Sequence, residues 1–254
     1  MTMRVGLIKA VPEQWELKRN WERFCALAER AAREKCDILC TPECFLDGYV
    51  VTDKEWTPRR FARIFQPLNG GYLKEARRLA KALRLHILFG FTQKARGGAY
   101  NAAALLDDRG KLVGVYHKTH LLDHDRRYLP GRDLPVFRTR FGRLGVLICA
   151  DRRWPEAART LRVKGAEILF IPSYGMWSEA NEWWMRTRAY ENETFLCFVH
   201  PRVAFIAGPK GDIEAKLQSN KDDLLIHDVD LGLNSRVMLD NRRPELYRSL
   251  ATRS

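Results

Sequence analysis

Short apolar runs alternate with amphipathic helical stretches along most of this 254-residue chain, and that alternation limits the folds open to it. Residues 3–11 read as a strand, and residues 16–35 as a helix with Leu17, Trp21, Phe24, Cys25, Ala28, Ala31 and Ala32 at helical spacing. A buried strand follows at 37–41, then a helix at about 71–84 with Leu73, Ala76, Ala80 and Leu83 on one face. Runs at 85–91, 100–106 and 111–116, punctuated by Asp107-Asp108-Arg109-Gly110, read as a β-meander. The second half repeats the alternation. A strand at 143–148 leads into a helix that stops near Gly165, and a strand at 168–172 leads into a helix at 179–192. That last helix is expected to bury Ala180, Trp183, Trp184 and Thr187. Strands at 194–200, 202–207 and 224–229 complete the pattern, and the charged tail from about Gly232 takes no assignment. A meander inside a strand–helix alternation favours a mixed α/β layered fold over a purely doubly wound one. With no Pro/Gly/Ser-rich linker or repeat, a single domain over 1–254 is expected.

The totals narrow the function classes. An apolar fraction of 46% is ordinary for a globular protein, and no segment approaches the length of a membrane span. Residues 3–11 enter a strand directly, without the regions of a signal peptide, so a cytoplasmic location is expected. The formal charge of +13 comes from 44 Lys and Arg against 31 Asp and Glu. These cations are spread through helices with no aromatic-interleaved stripe, which points to a solvated surface rather than nucleic acid. Six cysteines without a Cys-x-x-Cys pair read as free thiols and bind no metal.

One of those thiols stands at a joint. Val146, Leu147 and Ile148 form a β-prone run, Cys149 follows, and Pro155 suits the first turn of a helix. A thiol where a strand runs into a helix feels the helix N-terminus, which favours the thiolate and makes Cys149 a candidate nucleophile. The competing reading is a small buried hydrophobe, since free Cys is among the most buried residue types. Glu43 and Lys118 stand at the ends of two further expected strands. In layered α/β folds those ends commonly form the rim of an active site. A carboxylate, an ammonium and a thiol converging there would supply a base, an oxyanion stabiliser and a nucleophile. Taken singly, Glu43 also reads as a helix cap or surface acid, and Lys118 as a solvated lysine.

Three segments carry a family resemblance: Thr41-Pro42-Glu43-Cys44-Phe45-Leu46-Asp47-Gly48-Tyr49, Tyr116-His117-Lys118-Thr119-His120-Leu121, and Gly145 to Glu156 around Cys149. With Tyr128-Leu129-Pro130-Gly131, Gly165 to Ser173 and Arg188-Ala189-Tyr190-Glu191-Asn192, the chain from residue 3 to about 230 resembles the carbon–nitrogen hydrolase (nitrilase) superfamily. The resemblance implies a four-layer αββα sandwich, usually a homodimer or higher homo-oligomer, acting on a small-molecule amide or carbamoyl substrate without metal or organic cofactor. It implies that Glu43 is general base and acid, that Cys149 forms a thioester, and that Lys118 with the backbone N–H of Ala150 holds the oxyanion. It also implies Tyr49 and His120 as substrate-pocket residues.

The sequence departs from the family in two places. A second glutamate is missing before Tyr128-Leu129-Pro130-Gly131, where Asp125, one methylene shorter, is the nearest equivalent and His124 the lesser stand-in. The loop before the Pro-x-Gly turn is cut down to residues 201–211, which leaves the pocket wall open or completed by a partner subunit. The run Cys149-Ala150-Asp151-Arg152-Arg153-Trp154-Pro155-Glu156 is most similar to that of the N-carbamoyl-D-amino acid amidohydrolases, in which the arginine pair binds the substrate carboxylate. A guanidinium fork suits that role. Pairing of either arginine with a carboxylate such as Glu156 is the alternative. His117, His120 and His124 follow a strand into a loop, where their spacing fixes no common face for a metal. The expected activity is thiol amidohydrolysis. A nitrilase, or a weakly active relative used for binding, are the alternatives.

Overall fold

The computed structural model describes residues 2–175 and 178–252. Among the described residues, twelve strands form two six-stranded sheets. The first sheet has the order β12-β1-β2-β3-β4-β5. It comprises β1 (Thr2–Lys9), β2 (Ile38–Cys40), β3 (His86–Ala95), β4 (Gly98–Leu106), β5 (Leu112–His117) and β12 (Asp223–Asp230). The second has the order β11-β10-β9-β8-β7-β6. Its strands are β6 (Val136–Thr139), β7 (Gly142–Val146), β8 (Ile168–Pro172), β9 (Phe195–His200), β10 (Val203–Ala207) and β11 (Ile213–Gln218). The helices are α1 (Leu17–Arg33), α2 (Pro58–Phe61), α3 (Gly71–Leu83), α4 (Pro155–Val163), α5 (Glu179–Asn192) and α6 (Val237–Asp240).

The two sheets repeat one plan. β1, β2 and β3 are parallel, as are β7, β8 and β9, and antiparallel strands extend each sheet outward. The expected meander is the β3–β4–β5 ladder. Parallel neighbours need crossovers, which the amphipathic helices supply. Strand alternation sorts side chains between two cores. Val5 and Leu7 of β1, Ile38 and Cys40 of β2 and Leu88 of β3 join the core shared with Phe198 and Phe205 of the second sheet. Their neighbours Ile8, Leu39, Ile87 and Phe89 face Phe24 and Ala28 of α1 and Ala76 and Ala80 of α3 instead. Strands buried on both faces read as continuous apolar runs, and this is why they stand out in the sequence. The result is the expected αββα sandwich.

Helix α4 starts at Pro155, as the place of that proline in a first turn implied, but the strand does not run straight into it. Cys149–Arg153 form a short 3-10 turn between the two. A residue preceding proline is pushed toward extended backbone, and Trp154 takes φ −94°, ψ 110°, which breaks any helix running back to the cysteine. Next, α5 buries Asn181, Met185, Ala189 and Asn192, whereas Trp183 is 63% exposed. Two asparagines on the inner face defeat a reading that counts only apolar periodicity. Strands β6 and β11 lie at the edges of the second sheet, where one side is unpaired and alternating polar residues mask the strand signal. The shortened segment 201–211 is mostly β10 and its flanking turns. The tail from Gly232 carries α6 and the 3-10 segment Pro244–Ala251, and it exposes Leu233, Val237, Leu246 and Leu250.

Candidate active site

Glu43 lies just past β2, at the end of the parallel trio. The chain turns there over β3, where a Cβ on Gly90 would sit 2.5 Å from the carbonyl oxygen of Pro42. Only glycine permits that approach, and its N–H donates to Thr41 Oγ1 at 2.8 Å. Lys118 follows β5, and its backbone N–H donates to the carbonyl of Asn101 on β4 at 2.9 Å. The sheet thereby sets Asn101 beside Lys118, and both reach one oxygen of Glu43. Lys118 Nζ and Asn101 Nδ2 each donate to Glu43 Oε1 at 2.8 Å. Lys118 Nζ also donates to Asp125 Oδ2 at 2.6 Å, and the Tyr49 hydroxyl donates to Asp125 Oδ1 at 2.7 Å. Among the described residues, Glu43 Oε2 is the carboxylate oxygen of this cluster without a partner.

The shorter Asp125 therefore reaches Lys118 directly. The 3-10 segment Asp123–Arg127 carries it inward until it is fully buried, and backbone placement makes up for the missing methylene. Burial opposes the charge on Lys118, but the carboxylates of Glu43 and Asp125 outweigh it and hold the ammonium well above the ordinary lysine range. Burial, followed by the charges of Glu43, Cys149 and Asp125, raises the Tyr49 phenol and keeps it a donor.

Cys149 is 8% exposed and sits at φ +48°. A non-glycine residue in the left-handed region carries strain of about 1–3 kcal/mol, held by the surrounding structure. A pocket of about 200 Å³ opens over it, lined by Tyr49, Lys118, Leu122, His124, Asp125, Ala150, Arg152, Arg153 and Gly175. That volume suits a small substrate rather than a drug-sized one.

The two arginines part company. Arg152 is buried, donating through Nη1 to Cys149 Sγ at 3.2 Å and through Nη2 to Asn181 Oδ1 at 3.1 Å. Arg153 is exposed on the pocket wall. His120 is not brought to the pocket. Its Nδ1 lies 2.8 Å from Asp151 Oδ1, and its ring stacks on Trp154 at 4.2 Å. His117 and His124 also have partners of their own, Gln93 and Tyr49. Residues that sequence reasoning passed over are Asn101, Asn181 and Asp151. Asn101 did leave a trace, as a lone amide entering the apolar run Ala102 to Leu106.

Asp47, in the loop between Glu43 and Tyr49, is also buried. Its Oδ2 accepts from the Thr92 N–H at 3.1 Å, and the Thr92 hydroxyl and the backbone N–H groups of Val50 and Tyr49 also favour its charged form. Burial outweighs these bonds and pushes its carboxyl up to about 7. The folded value stands above the ordinary one of about 4, so the folded protein keeps a proton that the unfolded chain releases across this window. Stability from this group is full in acid and is lost as pH rises toward 7. Asp47→Asn, which cannot ionise, is expected to remove that slope, changing the wild-type minus variant difference by about 1 kcal/mol per pH unit between pH 5 and 7. Urea midpoints at four pH values check this, and parallel curves for the two proteins would refute it.

With this geometry in view, the comparisons give the class. The Carbon-nitrogen hydrolase family model matches residues 4–237. An N-carbamoylputrescine amidase from Arabidopsis thaliana is 30% identical, covering 89% of each chain. A probable nitrilase from Schizosaccharomyces pombe is 27% identical over 98% of this chain and 99% of its own length. Among solved structures, a variant amidase from Nesterenkonia sp. AN1, with the acetamide moiety of fluoroacetamide added covalently at its active-site cysteine, superposes with a TM-score of 0.83. It is 21% identical and covers 97% of this chain and 96% of that one. The chain belongs to the carbon–nitrogen hydrolase family. It is an enzyme of the nitrilase superfamily, acting on the C–N bonds of amides, carbamoyl compounds or nitriles.

Proposed function

We propose that this enzyme is a thiol amidohydrolase for a small linear amide or N-carbamoyl compound bearing a carboxylate, an N-carbamoyl amino acid being the type case. One observation carries the reading: Lys118 is held between Glu43 and Asp125, while Glu43 Oε2 has no partner among the described residues and is open to a proton donor. In this mechanism Glu43 takes the proton of Cys149, and the sulfur attacks the carbonyl carbon. Lys118 and the Ala150 N–H bind the oxygen as it becomes negative. The C–N bond breaks as Glu43 returns the proton to the leaving amine, and a thioester remains. Glu43 then takes a proton from water, whose oxygen attacks the thioester, and the carboxylic or carbamic acid leaves as the thiol is restored. Arg153, exposed on the wall, is the receptor for the substrate carboxylate. The buried Arg152, bonded to Cys149 and Asn181, serves the nucleophile's side of the pocket.

The test is a panel of linear amides, N-carbamoyl amino acids and nitriles, with ammonia release and the mass of the Cys149 peptide as readouts. An acyl or carbamoyl adduct on Cys149 is expected with amide or carbamoyl compounds. Arg153→Ala should raise KM about tenfold for carboxylate-bearing substrates and leave kcat unchanged, since it removes one charge-assisted hydrogen bond. Turnover of nitriles alone would reassign the enzyme as a nitrilase. Neither adduct nor ammonia with any compound would favour a binding role.

A further inference from the structure

Asp151 follows the thiol by two positions and is fully buried. Both of its oxygens are engaged. Oδ2 accepts from the Tyr116 hydroxyl at 2.7 Å and from the Ile148 N–H at 2.9 Å. Oδ1 accepts from the Thr119 hydroxyl and the His120 N–H, each at 2.8 Å, and His120 Nδ1 lies at the same distance. A carboxylate offers about four acceptor positions, and these bonds use all of them.

The donors come from two places in the fold. Tyr116, Thr119 and His120 bracket Lys118 at the end of β5, in the first sheet. Ile148 directly precedes Cys149 after β7, in the second. Apolar contact between the sheets is non-directional, and it sets their spacing but not the aim of one loop at another. Polar contacts also cross between the sheets, from the Glu43 N–H to the Ser173 carbonyl at 3.4 Å and between His227 and Glu214 at 3.0 Å, but they involve neither the Lys118 loop nor the Cys149 loop. Asp151 supplies a directional link between those two loops. Burial, and then the charge of Asp151 itself, raises the Tyr116 phenol, so this donor keeps its proton.

We propose that Asp151 is a positioning residue that clamps the Lys118 loop to the Cys149 elbow, and so sets the ammonium where the oxyanion forms. It does not line the pocket and acts only through the two residues it aligns. The inference rests on the reading of Cys149 as nucleophile and Lys118 as oxyanion partner. A misplacement of about 1 Å at such a pair costs about a hundredfold in rate, so loss of the clamp falls on kcat. KM, set by the pocket walls, stays.

The experiment compares Asp151→Asn, Tyr116→Phe and Thr119→Val with wild type and Cys149→Ala, on the best substrate of the panel. Asp151→Asn turns an acceptor into an amide donor facing other donors, and kcat is expected to fall about a hundredfold. Tyr116→Phe and Thr119→Val each remove one bond to Asp151, along with the 3.2 Å contact between the two hydroxyls, and keep the core filled. Each should lower kcat about tenfold per alkylatable Cys149, with KM within about twofold, on the same misplacement argument. Tyr116→Phe should add no further loss in the Asp151→Asn background, because the hydroxyl acts through that carboxylate. If Asp151→Asn does not fold, the two hydroxyl variants decide the matter alone. Wild-type kcat in both of them, or full additivity in the double variant, overturns the clamp. Hydrolysis that survives in Cys149→Ala overturns the proposed mechanism instead, so the two failures are distinguishable.

Discussion

Cys149→Ala is expected to lower kcat by about ten-thousandfold or more while leaving the protein folded. Removal of a covalent nucleophile costs on this scale because the remaining groups act as a unit around it, and what survives is binding and oxyanion stabilisation. The fold should tolerate the change. Alanine fits the space of the thiol, and the left-handed backbone at φ +48° is no worse for alanine than for cysteine. The Arg152 bond to sulfur disappears, but the guanidinium stays anchored by its bond to Asn181. Ammonia release with the best panel substrate measures the activity, and a thermal melt measures the fold. Turnover within tenfold of wild type in a folded variant would remove Cys149 from the mechanism.

Lys118→Met should damage activity and stability together. Methionine matches the length of the lysine stem but leaves Glu43 and Asp125 buried with no cation between them. Breaking a buried ionic cluster by removing one partner costs about 3–5 kcal/mol. For a chain of this size that is a fall in melting temperature of about 10 °C. Activity should fall about a thousandfold, since oxyanion stabilisation and the placement of Glu43 are lost in one step. The pH behaviour follows from the raised value of Lys118. A lysine whose folded value lies above its unfolded one of about 10.4 contributes its full stability below that pH, and loses it only as pH climbs through the folded value. The deficit of Lys118→Met should therefore be flat between pH 7 and 9. A deficit that vanished within this range would mean that the lysine is not held charged by the two acids.

These effects converge because both residues stand where strands end. The sheets hold the ends of β2, β5 and β7 close together, and each delivers one group: Glu43, Lys118 and Cys149. Neutral spacers could not do this work. The ammonium neutralises Glu43 through one oxygen and leaves the other available, while Asp125 and Tyr49 balance the ammonium from its far side.

Much of this was legible from the residues alone. Runs such as Ile168 to Pro172 are buried on both faces, so their apolar character is continuous and their assignment as strands is direct. Glu43, Lys118 and Cys149 could be picked out because polar or reactive residues stand immediately after such runs. Less legible were features that depend on what lies opposite. The inner face of α5 carries Asn181 and Asn192, and Arg152 supplies the partner that makes Asn181 a buried residue. The edge strands β6 and β11 carry half-polar sequences that become strands only against their neighbours.

By itself, then, the order of residues determined the layered α/β plan and set Glu43, Lys118 and Cys149 just past three of its strands, because periodicity and residue chemistry are local properties. Tertiary structure alone decided the rest. It brought Asp125 within 2.6 Å of Lys118 despite its shorter side chain, and turned His120 away to Asp151. It separated two adjacent arginines, burying Arg152 against the thiol and leaving Arg153 on the pocket wall. Each of these outcomes depends on a backbone position set by packing between distant segments, and a distance of that kind is written in no local stretch of chain.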